Sequence, residues 1–517
     1  MLYLALIFHM HQPYYKNLLT QEADVPWVRL HGTKDYLDMV KILENYPLIR
    51  QTFNLVPSLV EQIEDYTERT LKDKFLELSY KSASELTPAE KTFVLEKFFM
   101  IDKEKVISLS PRYYELYFKK LAKKEFDEQD YLDLQVWFNL SWIDPYFREN
   151  YPELKQVVRK GRFFSEEDKR LCLDKQIQIL EEIIPAYKKF MQASQIEITP
   201  SPYYHPILPL LYNSKTAKEA NPRTILPKIN FSYPQDAQYQ TEAAVKFYEQ
   251  RFGVKPKGMW PSEEGVSEHI LPFIIQAGIN WIVTDEALLF KSLKMKKRDT
   301  RLLYQPFLLK RREGNLNVVF RDRNLSDLIG FVYHRWKAKD AVADFLKHLE
   351  NISAFYKEKD VLVTVAMDGE NAWEYYTNDG HDFLELLYQR LSEADFVKTT
   401  TVSEYLNNHP AVREIKRLAS GSWIYADFGK WIGNPYKVKA WECLAIARKE
   451  LEQVAQQSNT EHELAWKQMH VLEGSDWFWW YGEDHADFDK LFRMHLSNFY
   501  TLIGKDTPDY LKRPLSP

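Results

Sequence analysis

Only two cysteines, Cys172 and Cys443, occur in 517 residues. That excludes a disulfide framework and a four-cysteine zinc site. A chain this long buries enough core to fold without either. Glycine is scarce, at 16 residues, and neither G-x-G-x-x-G nor G-x-x-x-x-G-K-S/T occurs, so the usual phosphate-cradling loops are missing. Basic excess is missing too. Against 69 Lys and Arg stand 74 Asp and Glu, a net charge of −5, which excludes a general nucleic-acid binder. Mean hydropathy is −0.46, and no apolar run approaches the roughly 18 residues a membrane span needs. Residues 2–8 are apolar, but the run is short, has no basic segment before it and no small-residue cleavage site after it. It reads as a buried strand rather than a signal peptide, with a cytoplasmic location expected.

Aromatic residues are plentiful, at 15% of the chain. Rings with polar tips suit a well-packed core, and they also suit the C–H faces of sugars. Short apolar runs (IEITP 196–200, KGMWP 257–261, WIVTD 281–285, NVVF 317–320, VLVTVAMD 361–368, FVKTTT 396–401) alternate with helical stretches such as 235–252 and 339–358. That alternation predicts parallel strands in an α/β barrel or open sheet. Residues 36–66 carry helical spacing around a strand-like QTFNLVPSL at 51–59. Residues 67–195 repeat a charged, aromatic helical pattern and read as a helical insertion. Residues 435–517 return to helix and predict a C-terminal bundle. The division expected is a catalytic barrel over 1–410 and a mainly helical 411–517 that contributes to the cleft.

Five segments carry candidate chemistry. In FHMHQP (8–13), His9 and His11 lie two residues apart on a strand and so share a face, while Pro13 ends the strand at the mouth where barrels build sites. In TPSPYYHPILPLL (199–211), proline forbids regular structure and puts His205 on a loop at the same mouth. In GMWPSEEGVS (258–267), Glu263 and Glu264 sit on a turn past a strand end, and the sequence does not decide which points inward. In VTVAMDGENAWEYY (363–376), a buried strand runs straight into Asp368 and Glu370. Such a cluster is costly unless paired or functional, though it also suits a helix cap; like charges that close raise each other's pKa. In LEGSDWFWWYGEDH (472–485), three tryptophans crowd four positions beside Asp476. Successive helical residues face different ways, and flanking glycines suggest a loop. Either a sugar-stacking wall or an aromatic plug fits.

These five segments, in this order, resemble the motifs of glycoside hydrolase family 57: HMHQP, YYHPILPLL, GMWPSEE, MDGENAWE and EGSDWFWWYG. PWVRLHG (26–32) and RDRNLSDLIGF (321–331) are similar to accessory segments of its amylase and amylopullulanase-like branch. The resemblance implies an incomplete (β/α)7 barrel with a helical insertion and a C-terminal helical bundle. It also implies a retaining double displacement on α-glucans that needs no metal and no cofactor. The Trp-x-x-Glu spacing selects Glu263 as nucleophile, and Asp368 becomes the acid/base. His9, His11, Gln12, His205, Trp260, Glu370, Trp373, Trp423, Asp476 and Trp477 are then the substrate-binding residues, with aromatic GSWIYADFGKWIG (421–433) suiting a polymer groove. A 4-α-glucanotransferase or branching enzyme would use the same catalytic pair. A metal-dependent sugar deacetylase or mannosidase would instead use His9, His11 and Asp368, and a non-catalytic glycan-binding protein would need neither acid. The sequence does not fix linkage preference or oligomeric state.

Overall fold

The computed structural model describes residues 1–357, 359–457, 462–483 and 486–515; the Asp484 and His485 that close the tryptophan-rich motif lie outside the described residues. Seven parallel strands form a nearly closed barrel: β1 (Leu2–Met10), β2 (Gln51–Leu55), β3 (Ile196–Thr199), β4 (Gly258–Met259), β5 (Trp281–Asp285), β6 (Gly314–Arg321) and β7 (Val361–Asp368). Around the ring the order is β3-β2-β1-β7-β6-β5-β4. Between β4 and β3 the ring is bridged by the Trp260 N–H, which donates to the Pro200 carbonyl at 3.0 Å. The strands are apolar on both faces because side chains fill the barrel inside and helices cover it outside.

Register lines the carboxyl ends up. His9 pairs with Asn54 on one side and with Asp368 on the other. Asn54 pairs with Thr199, and Asp285 with Arg321. The polar ends of β1, β2, β3 and β7 thus meet in one register, while the Asp285–Arg321 pair lies opposite Thr364, four residues before Asp368.

Between β2 and β3 lies the helical insertion, from Lys74–Tyr80 to the long Glu166–Gln192. Buried Arg29 ties it to the segment after β1. Its guanidinium donates to Asp73 at 3.0 Å, Asn139 at 2.9 Å and Gln176 at 2.5 Å. Residues 36–66 are less continuously helical than their spacing predicts, because a π-helical turn (Gly32–Tyr36), a short helix and a 3₁₀ turn precede β2. An antiparallel strand, Phe307–Arg311, pairs with β6 through a two-residue turn. It was not anticipated. Helices Pro435–Gln457, Glu463–Leu472, Ser475–Trp480 and Ala486–Leu502 follow the barrel. Arg448 binds them to it, donating to both oxygens of buried Asp236 at 2.7 and 2.9 Å. No described helix is long and apolar enough to cross a membrane.

The expected loop at 472–485 is in part a helix, Ser475–Trp480. Each tryptophan in it has a different neighbour, so helical geometry is satisfied rather than violated. Trp477 turns inward, donating to the Val471 carbonyl at 2.8 Å and lying 5.1 Å from the His495 ring. Trp479 meets Trp431 at 5.6 Å, and Trp480 stacks on Phe488 at 5.1 Å.

Gly258 is where the barrel tolerates no side chain. A Cβ there would lie 2.0 Å from Cε2 of the buried Trp281, whose indole N–H donates to Glu197 at 3.1 Å and Ser403 at 3.0 Å. Gly258→Ala is expected to destabilise the fold by about 1–3 kcal/mol through overpacking, read as a fall in the urea midpoint. An unchanged midpoint would show that Trp281 yields freely.

Candidate active site

The rim side chains converge on a cavity of about 890 Å³, within the range of small-molecule and cofactor sites. His9, His11, Gln12, His205, Glu263, Asp368, Glu370, Trp423 and Asp476 all reach it. Its outer walls come from Trp27 and Phe93 on one side and Trp479, Trp480 and Phe488 on the other. The barrel floor, the insertion and the C-terminal helices thus each supply a wall.

His9 is fixed from below. Its Nδ1 lies 2.5 Å from Asn54 Oδ1, while the Asn54 amide donates to the Thr199 carbonyl at 2.9 Å. That second bond orients the amide, so Nδ1 of His9 carries the proton. Trp260, fully buried, stacks on the His9 ring at 4.8 Å with 11° between planes. Burial, with His11 nearby, pushes the His9 pKa down to about 3, so the ring is neutral at ordinary pH. His11 Nε2 donates to Asp476 at 2.9 and 3.0 Å. His205 stacks on His11 at 4.1 Å and meets the Ser475 hydroxyl through Nδ1 at 3.0 Å. Its backbone is left-handed, φ 57°, and burial holds its imidazole well below the usual range. His11, His205 and Asp476 offer ligand atoms within 4.8 Å of one another. That is the donor group a metal ion would find, and it differs from the His9, His11 and Asp368 set.

The two consecutive glutamates part company. Glu263 and Glu264 both have left-handed backbones, φ 57° and 52°, a conformation non-glycine residues hold at a cost. Glu263 faces the cavity, and Trp423 clamps it twice: the indole N–H donates to Oε2 at 2.9 Å, and the Trp423 backbone N–H donates to the Glu263 carbonyl at 3.2 Å. Glu264 turns beneath the rim, fully buried, toward Arg321 and Asp285, and no side-chain partner contacts its carboxylate among the described residues. Burial pushes its pKa well up. The choice that sequence left open is settled by the backbone.

Burial raises the Glu263 carboxyl to about 8, with the charge of Asp368 as the next cause and that of Asp476 after it; the Trp423 bond opposes this. Asp368 is also raised by burial, against the pull of Asn371, Arg321 and His11. Gly369 follows Asp368, and its N–H donates to the His9 carbonyl at 2.6 Å. Beyond it, Glu370 is buried, accepts from the His11 N–H at 3.1 Å, and receives the Gln12 amide at 3.5 Å. Glu370 therefore shapes the first loop rather than standing free.

Not every expected residue reaches the cavity wall. Trp260, Trp373 and Trp477 are buried behind it. Trp260 supports His9, Trp373 donates to Met39 Sδ at 3.3 Å and packs on Phe8, and Trp477 supports the Asp476 turn. In their place stand Trp27, which the sequence did not single out, and Trp479 and Trp480 of the run offered as a sugar-stacking wall; Arg321, also not singled out, holds its guanidinium 5.2 Å from the Trp423 ring. Arg321 ends a buried strand, a position whose polarity was visible in the sequence. Trp27 lies in PWVRLHG.

Comparison with known proteins fits this arrangement. The profile described as Glycosyl hydrolase family 57 matches residues 5–417. Alpha-amylase 1 of Dictyoglomus thermophilum is 25% identical over 292 residues, which are 55% of this chain and only 36% of that protein. Among solved structures, a GH57-type branching enzyme from Pyrococcus horikoshii superposes with a TM-score of 0.63 at 16% identity, over 97% of this chain and 88% of that one. The alpha-amylase AmyC from Thermotoga maritima gives 0.60 at 14% identity, over 97% and 93%. A 4-alpha-glucanotransferase from Thermococcus litoralis gives 0.55 at 13% identity, over 97% and 60%. At such identities the structural likeness is one of fold. It is the profile match, spanning most of the sequence and both candidate carboxylates, that makes this chain a member of glycosyl hydrolase family 57.

Proposed function

We propose that this protein cleaves α-glucosidic bonds of α-glucans with retention, using Glu263 as nucleophile and Asp368 as acid/base. The observation that carries the reading is electrostatic as well as geometric. Two carboxyl groups 105 residues apart in sequence line one cavity, and the charge of one raises the pKa of the other. The names of the relatives, an alpha-amylase, a branching enzyme and a glucanotransferase, support an α-glucan as substrate.

In the first step the Glu263 carboxylate attacks the anomeric carbon while Asp368 gives its proton to the departing oxygen. The C–O bond to the leaving chain breaks, and a glycosyl ester on Glu263 forms. In the second step Asp368, now ionised, takes a proton from water. The water oxygen bonds to the anomeric carbon, and the ester bond's electrons return to Glu263. Trp423 aims and stabilises the Glu263 carboxylate in both steps, and the His9, His11 and His205 rings receive sugar hydroxyls. A transferase would differ only in replacing water by a sugar hydroxyl. No membrane or nucleic-acid partner enters the reading.

Three outcomes test it. Glu263→Gln is expected to abolish reducing-end release from soluble starch and maltooligosaccharides, and Asp368→Asn to lower it by about 10²–10⁴-fold, with the circular dichroism of both unchanged. Wild-type turnover in Glu263→Gln would refute the assignment. Proton NMR of the first product formed should show the α-anomer, since two displacements restore configuration; a β-anomer would mean a single displacement.

The pH profile follows from the raised carboxyl groups. The active form holds one proton on the pair. Activity should fall on the alkaline side near pH 8, where Glu263 and Asp368 are both ionised, and on the acid side above the ordinary aspartate value of 3.8, where both are protonated. Trp423→Phe removes a bond that favours the ionised Glu263, so its alkaline limb should move upward by about half to one pH unit, measured as kcat/KM against pH. A limb that stays in place would mean that the indole N–H does not tune the nucleophile.

A further inference from the structure

A second cavity, of about 630 Å³, adjoins the catalytic one. Trp27, Met100 and Glu374 stand in the walls of both, so the two cavities meet at those three side chains. The far walls carry Trp142, Tyr375 and Tyr376 as aromatic surfaces and Lys34, Arg148 and Asp379 as polar groups. This is the mixture that sugars need: flat rings for C–H faces and directional groups for hydroxyls.

Several features of this wall have no use in folding alone. Arg148 Nε and Asp379 Oδ2 are buried without hydrogen-bond partners among the described residues, and such atoms are costly unless something else satisfies them. Asn378 and Asp379 hold two successive left-handed backbones, φ 52° and 53°, a strain that collects at ligand clamps. Lys34 donates to Asp379 at 2.8 Å and fixes it there. At the mouth Tyr375 is 55% exposed, an aromatic ring that no core requires.

Position then assigns the role. Residues 374–379 belong to the loop that leaves Asp368 and Glu370. The chain that departs and the hydroxyl that replaces it are both served by the acid/base, so both must lie on its side of the anomeric carbon. We propose that the second cavity is the acceptor site: it receives an α-glucan chain whose hydroxyl attacks the glycosyl-enzyme in place of water. This rests on the catalytic pair proposed above. In the transfer step the acceptor oxygen bonds to the anomeric carbon, its proton passes to the Asp368 carboxylate, and the breaking ester bond returns its electron pair to Glu263. A free sugar hydroxyl is consumed for each linkage formed, so no new reducing end appears.

The test uses a donor that leaves no sugar on the acceptor side. The full-length protein is given α-maltosyl fluoride, with methyl α-maltotrioside as acceptor at increasing concentration. Fluoride release, free maltose and elongated glycoside are measured together. In the wild type the ratio of elongated product to maltose should rise with acceptor and saturate. Tyr375→Ala, a change at an exposed ring, should raise the acceptor concentration at which transfer equals hydrolysis by about five- to tenfold, the loss of one stacking contact. An unchanged concentration in Tyr375→Ala, or no elongated product in the wild type at any acceptor level, would overturn the acceptor site. Absence of fluoride release from the wild type, or equal release from Glu263→Gln, would instead overturn the catalytic pair and the acceptor site with it.

Discussion

The register of β1 against β2 and β7 is the constraint from which the rest of the site follows. His9 pairs with Asn54 and with Asp368, so one imidazole, one amide and one carboxyl group arrive at the same height. A slip of one residue would turn every side chain of the central strand to the opposite face. It would send His9 out of the barrel and turn Phe8, now packed on Phe53 and Trp373, into it. The unbroken apolar run of residues 2–8, ended by His9, therefore marks where the polar rim begins.

The rim costs stability, and the surrounding structure bears that cost. Glu263, Glu264, Asp368 and Glu370 are acids with raised pKa, each mainly through burial. Water exclusion that disfavours their charges also strengthens every remaining interaction with a bound sugar. The left-handed backbones of Glu263 and Glu264 add to the cost. They also resolve an ambiguity, because two adjacent carboxylates are sent in different directions, one to the cavity and one beneath it.

Much of this was legible in the sequence. The strands at 2–8, 51–59, 196–200, 281–285 and 361–368 declared themselves by apolar content ended by polar or proline residues; their alternation with helices gave a parallel α/β class, barrel or open sheet, and the family resemblance gave the barrel. Candidate side chains such as His9 and Asp368 were legible because they sit where those strands end. What was hidden depended on contacts between distant segments. The run of tryptophans looked unfit for a helix because its partners, Trp431, Phe488 and His495, cannot be seen locally. Trp260, Trp373 and Trp477 looked like sugar platforms, yet all three are packing residues one layer back. The hairpin at 307–321 lacked the usual Asn-Gly or Asp-Gly turn, and Gly314 follows its two-residue connection instead.

Trp423 reaches Glu263 from 160 positions downstream, and the same stretch is pinned by paired backbone bonds between Val266 and Gly421, at 2.8 and 3.1 Å. The segment that brings it lies past the last barrel strand. A polypeptide emerging from the ribosome would thus possess both acids long before it possessed the indole that aims one of them. On the proposed assignment, competence for bond cleavage arrives only once the closing segment has docked, and chains truncated before it would leave the Glu263 carboxylate unaimed.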